Sequence, residues 1–529
     1  MRSLRSFSTF FGWVTPITFI ILSCVLLAVY NWILSVKGIG GYDWDVDHFI
    51  YSGQRLLEGD FHWTVEFDDK LPVVQILFLL PGLYENALVW LLLSTGFVVF
   101  GAWACFDLVD TILSDSPFIL LAERKIAASV ATMGMVFLFL FLPGGIYHIN
   151  PASASLTVIS LALIVRSFPA EGILKIVPFF ISAMSASVSI GIRPYFFIAL
   201  IIAVSLLIIN RSKSLFGQDG ALVFIFFWIF GVGVFGFLTN VAPYIIIGDV
   251  NAFLAGISML SQELIPTNFV GTVIHIVSVL YNQTPFVIIL IIIFSVSVIY
   301  SLYLSILSIE NNLKRERLNE IIILIFILPV LLLALILTKH FWSHYFQLFA
   351  PFFAMGVGFF YPLFKHKLHN KLSKIKSKNI WLLTISFLLL FLLPIILKDL
   401  TNTKHKKNNN IVAKVAAIVF SQPENQNDFL FLNDMRSHWK LSEPRHGFPH
   451  AANTNQILSG KWQKGKVIMP YHFSHPVNSK EYCTLLEKKG PTLIFLRGQL
   501  NFVLSCLNES SVYRFKKKLS EEVNLFIRN

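Results

Sequence analysis

The chain has 529 residues, of which 55% are hydrophobic and only 14% charged, and its mean hydropathy is +0.68. Such a composition is far more apolar than that of a soluble globular protein and specifies a multi-pass α-helical membrane protein. The formal net charge of +12 is largely topological bias and does not argue for nucleic-acid binding.

Apolar runs near the ~20 residues that cross a bilayer recur through the first 397 positions and then stop. In chain order the predicted spans are residues 12–36, 84–106, 126–146, 153–166, 174–192, 195–210, 221–241, 284–307, 320–338, 345–364 and 379–397, about eleven in all. With the N-terminus inside, seventeen basic residues fall in inside loops: Arg2, Arg5, Arg124, Lys125, Arg166, Lys175, Arg211, Lys213, Lys314, Arg315, Arg317 and six lysines within 365–378. Only Lys37, Arg55, Lys70, Arg193 and Lys339 lie outside, which by the positive-inside rule gives an N-in, C-out protein. Residues 1–397 thus form a membrane domain and 398–529 a soluble extracytoplasmic one. The first span follows MRSLRS, is too long for a signal core and has no small-x-small site behind it, so it reads as an uncleaved signal anchor.

The first outer loop, 37–83, gathers eight acidic residues: Asp43, Asp45, Asp47, Glu58, Asp60, Glu66, Asp68 and Asp69. Within it Val46, Phe49, Ile50, Gly53, Leu56 and Leu57 recur at helical spacing. Asp47, His48, Tyr51, Gln54, Arg55 and Glu58 occupy the other side, so the segment is an amphipathic interfacial helix ended by Gly59. Asp45, just before it, is placed to cap the helix, a role that requires no function. Capping does not account for the remaining carboxylates, which repel one another unless they meet a cation, a metal or a proton.

Further along, His148 and Tyr147 in PGGIYHIN belong to a plain outer turn. Arg193 in SIGIRPYFF sits at a tight outer corner, either snorkelling to headgroups or binding phosphate. The outer loop 242–283 is long enough to roof a cavity, and His275 within it reads as a packed histidine. Lys339, His340 and His344, with Trp342 and Tyr345, form either an anchor belt or a site. The basic run 365–378 is an inside anchor. The C-terminal domain reads as mixed α/β, with a helix in IVAKVAAIVF and buried strands in DFLFL and TLIFLR; Arg436, His438, Arg445 and His446 form a polar loop cluster. Cys24 and Cys105 pack in spans, while Cys483 and Cys506 either form a disulfide on the oxidising side or remain buried thiols. No CxxC or HExxH metal spacing, phosphate loop or internal repeat occurs.

Three stretches carry a resemblance. The segment Asp45-Val-Asp47 through Gly59 resembles the first outer loop of GT-C glycosyltransferases, integral membrane enzymes that use polyprenyl-phosphate-linked sugars. Phe67-Asp68-Asp69-Lys70-Leu71-Pro72 is similar to the opening of their next juxtamembrane segment, and Lys339-His-Phe-Trp-Ser-His344-Tyr345 with Pro351 is similar to the start of a late span. The outward tail looks like that of bacterial members, and the nearest types are the protein O-mannosyltransferase and aminoarabinose transferase.

The resemblance implies an inverting glycosyltransferase of the cytoplasmic membrane, working on the periplasmic or exterior face. Its Asp45 is the general base, fourteen residues before the loop glycine, with Asp47 as rival. Asp69, with Asp68, orients the acceptor or holds a divalent metal ion. Arg193, Lys339, His340, His344 and Tyr345 then hold the lipid phosphate. The partners are a polyprenyl-phosphate-linked sugar, a glycolipid, glycan or protein acceptor, and membrane lipids, with no nucleic acid. Alternatives are a transporter or flippase of a lipid-linked or anionic substrate, an O-antigen ligase or polymerase, and a nonenzymatic envelope assembly protein. The spans' near lack of ionisable residues argues against translocation.

Overall fold

In the computed structural model, the residues described are 44–57, 59, 61, 70–84, 87–114, 119–142, 145–168, 173–212, 217–263, 315–336, 343–372, 429–432, 493–497, 501–519 and 523–529, with a few single positions in 295–303 and at 487. The chain divides into two compact units. The described residues of one come from Leu91–Leu238 and from within Glu263–Ile396; those of the other come from Ser35–Trp90, Thr239–Gln262 and Leu397–Asn529.

The first unit is helical. It contains most of α4 (Ala87–Ser114), then α5 (Leu121–Phe141), α6 (Ile149–Ser167), α7 (Ile173–Ile192), α8 (Phe196–Ser212), most of α9 (Gly217–Asn240), α12 (Arg315–Ile336) and α13 (Phe346–Leu372). Among the described residues, α4, α6 and α9 are long and apolar enough to cross a membrane. Helix α13 packs along α5, α7 along α6, and α12 along α8.

Helix α4 continues to Ser114, beyond the predicted end at residue 106. The apolar pattern fails at Asp107 and Asp110, yet both carboxylates are paired: Asp110 with Arg124 at 2.7 Å and Lys125 at 2.9 Å, and Asp107 with Arg166. Deeper, Arg211 of α8 meets Glu320 of α12 through two bonds of 2.6 and 2.7 Å, and its Nη1 donates to the Val165 carbonyl of α6. Both side chains are buried, so this pair ties three helices together.

Helix α6 is the largely buried centre of the unit. Its small hydroxyl residues let α7 approach closely. Ser153 Oγ donates to the Ser189 carbonyl at 3.0 Å, Thr157 Oγ1 lies 2.8 Å from Ser189 Oγ, and Ser160 Oγ lies 2.9 Å from Ser182 Oγ. Trp228 of α9 closes this ladder by donating from Nε1 to Ser182 Oγ at 3.0 Å. The corner between α7 and α8 is set by Pro194, which disfavours helical geometry at Arg193 and so ends α7 at Ile192.

In the second unit the first-loop helix is α1 (Trp44–Leu57), and Gly59 beyond it is left-handed with φ +88°. The helix begins at Trp44, so Asp45 stands inside its first turn rather than before it. Val46, Phe49 and Ile50 are buried as the spacing predicts. Gln54 is buried and Leu57 is 47% exposed, the reverse of their predicted sides. The reason is that two short helices, α2 (Val73–Leu77) and α3 (Leu79–Leu83), lie across the Ser52–Gln54 turn. A Cβ at Gly53 would stand 2.1 Å from the Phe78 carbonyl oxygen, and one at Gly82 2.5 Å from the Gln54 nitrogen, so both glycines are required by backbone approach.

The long loop after α9 is not simply a connector: it opens with α10 (Ala242–Ile246) and α11 (Val250–Glu263). Tyr244 is buried between Phe61 and Phe253, and that burial, with the charge of Asp249, pushes its phenol ionisation upward. Residues 264–283, with His275, lie outside the described residues.

In the C-terminal segment, β1 (Phe429–Leu432), β2 (Leu493–Arg497), β3 (Tyr513–Lys518) and β4 (Val523–Arg528) form a sheet in the order β1-β2-β4-β3, with α14 (Asn501–Glu509) contacting β3. β1 and β2 are parallel, and the other neighbours antiparallel. Both predicted strands are present. The predicted helix at 411–420 and Arg436, His438, Arg445 and His446 fall outside the described residues. Cys105 is a free buried thiol, and Cys506 is disulfide-bonded to a partner outside the described residues, where Cys483 also lies.

Candidate functional site

Three chain corners of the helical unit converge. His148 precedes α6 with extended backbone and caps it, its Nδ1 accepting from the Asn150 amide at 3.1 Å. Arg193 occupies the Pro194 corner. His344 and Tyr345 sit in a 3-10 turn, Ser343–Tyr345, that leads into α13.

Asn150 links the three. Its Oδ1 accepts from Arg193 Nε at 2.5 Å and its Nδ2 donates to the His344 carbonyl at 2.9 Å. This fixes the amide's orientation, since the flipped form would set NH2 against a guanidinium. The Arg193 guanidinium lies 4.9 Å from the centre of the Tyr345 ring, a cation–π geometry. The His148 and His344 rings stack with centroids 4.2 Å apart and an interplanar angle of 28°. Gln347, one turn on, donates from Nε2 to the Gly145 carbonyl at 2.7 Å, so the turn before His148 and the start of α13 are held together.

Burial bears on two of the alternatives left open by the sequence. Arg193 is 1% exposed, so it does not snorkel to headgroups, and Tyr345 is 2% exposed, so it is not part of an anchor belt. His148 is 1% exposed and stacked, and so is more than a plain turn residue. The cluster sets a permanent positive charge, an imidazole pair and a phenol side by side at the ends of apolar helices. Fixed donors in low dielectric are what an anionic group such as phosphate requires.

Of the phosphate-binding residues expected from sequence, the structure brings Arg193, His344 and Tyr345 together; Lys339 and His340 lie outside the described residues. His148, Asn150 and Gln347 are additional members. Their signal was the string His-Ile-Asn-Pro at the head of a span rich in small residues, which marks a helix start on the same side as Arg193.

The carboxylate candidates belong to the second unit. Asp45 and Asp47 stand in the first turn of α1, where negative charge suits the helix dipole. One turn beyond Asp45, the Phe49 ring packs on Phe78 at 5.3 Å and lies under the Lys70 ammonium at 5.7 Å. Lys70 is 2% exposed. Gln75 donates to the Ser52 carbonyl, and the Val73 amide to Asn240 Oδ1 at 2.9 Å, a bond within the same unit. Asp68 and Asp69 lie outside the described residues. Among the described residues no three His, Cys, Asp or Glu side chains gather to hold a metal ion.

No protein-family model and no curated protein matches the chain. Among solved structures, it is similar to the archaeal oligosaccharyltransferase AglB from Archaeoglobus fulgidus, in complex with an inhibitory peptide and a dolichol-phosphate. The identity is 11% and the TM-score 0.49, over 90% of this chain and 69% of that one.

Proposed function

We propose that the chain is a multi-pass glycosyltransferase of the cytoplasmic membrane, moving a sugar from a polyprenyl-phosphate-linked donor to an acceptor on the extracytoplasmic face. The single observation that supports this reading most is the buried cluster of Arg193, Asn150, His148, His344 and Tyr345. Residues 194 positions apart bring a guanidinium, a side-chain amide and two imidazoles into one buried cluster. In this reading the cluster, with Lys339 and His340, holds the lipid phosphate. As the anomeric C–O bond to phosphate breaks, its electron pair goes to the phosphate oxygen, and fixed positive charge stabilises the leaving group. The acceptor heteroatom forms the new bond from the opposite face, with inversion, and gives its proton to Asp45, with Asp47 as the alternative base. Asp69 and Asp68 orient the acceptor or hold a divalent cation.

A transporter or flippase finds less support. The buried hydroxyls Ser153, Thr157 and Ser160 of α6 bond to Ser189 and Ser182 of α7 across the helix interface, which makes them helix cement rather than a substrate path. The test is to offer the purified, reconstituted protein a panel of polyprenyl-phosphate sugars and follow release of the polyprenyl phosphate. Turnover of at least one donor, lost in Asp45→Asn, supports the reading. Binding and turnover of none would overturn it.

A further inference from the structure

β3 is the edge of the sheet among the described residues, pairing with β4 alone. Its sequence, YRFKKK, places Arg514, Lys516, Lys517 and Lys518 in one short strand, and every residue after Tyr513 is exposed. None of these four cations is paired with a carboxylate among the described residues. The pairing register slips between Phe515 and Lys517, so Lys516 has no partner across the ladder. The slip sets Arg514 and Lys517, opposite Ile527 and Leu525, on one face, and Phe515 and Lys518, opposite Phe526 and Asn524, on the other. Phe515 is 53% exposed although its inner edge touches Phe526. Two kinds of group therefore share this edge: exposed cations and a large exposed aromatic ring.

We propose that the β3 edge is a docking surface for an anionic phospholipid bilayer, which seats the C-terminal segment on the headgroups of the membrane that the helical unit spans. The cations fit lipid phosphates, and the Phe515 ring fits the interfacial layer beneath them; a soluble polyanion would leave that ring in water. Tethering to a membrane-spanning chain keeps the surface within reach of a bilayer, so weak contacts suffice. Each cation near an anionic surface strengthens attachment about fivefold. Lysines on an edge strand also deter edge-to-edge pairing of sheets, and that role alone predicts no dependence on lipid charge.

The test uses the full chain in nanodiscs of phosphatidylcholine alone or with about 30% phosphatidylglycerol, with hydrogen exchange read on a peptide covering residues 513–518. Exchange at β3 is expected to slow about tenfold or more in the anionic discs and to recover at about 1 M salt, where the screening length falls to ~3 Å. The triple variant Lys516→Gln, Lys517→Gln, Lys518→Gln should abolish the slowing, and Phe515→Ser should weaken it. In both variants unchanged exchange over Leu493–Arg497 shows that the sheet has folded. If the triple variant unfolds, Phe515→Ser and the salt series decide. Equal exchange in both bilayers, or slowing by a soluble polyanion in neutral discs that matches the effect of phosphatidylglycerol, overturns the proposal.

Discussion

At Arg193 a guanidinium is held inside an apolar protein by a side-chain amide on one side and an aromatic face on the other. Lysine cannot reproduce this arrangement, because it has neither the planar fork nor the stacking surface. Arg193→Lys should therefore fold but bind polyprenyl phosphate roughly ten- to a hundredfold more weakly, the value of a charge-assisted bond of about 1.5–3 kcal/mol. Equilibrium binding in detergent or nanodiscs checks this. Asn150→Asp makes a sharper test. It keeps an oxygen facing Arg193 Nε but sets a carboxylate in competition with the ligand's phosphate, so affinity should fall by at least about tenfold. Affinity equal to wild type would show that Arg193 does not receive the anion. The residue types at the site were legible in the sequence only where a rule made them conspicuous. Arg193 stood out because an arginine before proline at the end of a span has few bland explanations. His148 did not, because proline and glycine beside it suggest a solvated turn, and only the three-dimensional approach of residue 344 makes it a stacked partner.

Among the helices, the Arg211–Glu320 pair is a buried cross-tie. Removing one partner leaves the other charge buried, at a cost of about 3–5 kcal/mol. Glu320→Gln should lower the melting temperature markedly, whereas the double change Arg211→Met, Glu320→Leu should restore much of it; thermal unfolding followed by tryptophan fluorescence distinguishes the two. In the outer segment, Gly53→Ala drives a methyl into the Phe78 carbonyl and should destabilise by about 1–3 kcal/mol or more. Loss of the α1–α3 contact should raise proteolytic sensitivity around residues 58–69 before the helical unit melts. A Gly53→Ala protein as protease-resistant as wild type would contradict the close approach. Helix boundaries were legible where apolar runs end at proline or glycine, as at Pro194 and Gly59. They were misjudged at α4, since Asp107 and Asp110 look like exits from the membrane until their basic partners on α5 and α6 are seen. The short helices α10 and α11 were hidden because loop length carries no information about what the loop folds into.

For the molecule as a whole, the charge asymmetry along the chain is a claim about sidedness. The proposed N-in topology puts the chain segments around Asp45, His148, Arg193 and His344 on one side of the membrane and that around His366 on the other. Labelling of single cysteines introduced beside these positions, in sealed membranes, should sort them into those two groups. The membrane class follows from composition and periodicity. The construction of the buried cluster does not, because it depends on contacts between residues nearly two hundred positions apart.

The central claim is that one group of residues holds a lipid phosphate while a carboxylate in the first outer loop takes a proton, and it is tested most directly by separating binding from transfer in Asp45→Asn. Wild-type and variant proteins should bind a polyprenyl-phosphate-linked sugar with similar affinity, while single-turnover transfer by the variant falls by about 10²- to 10⁴-fold. Unreduced transfer by Asp45→Asn, or a wild type that binds no polyprenyl-phosphate lipid, would contradict the account.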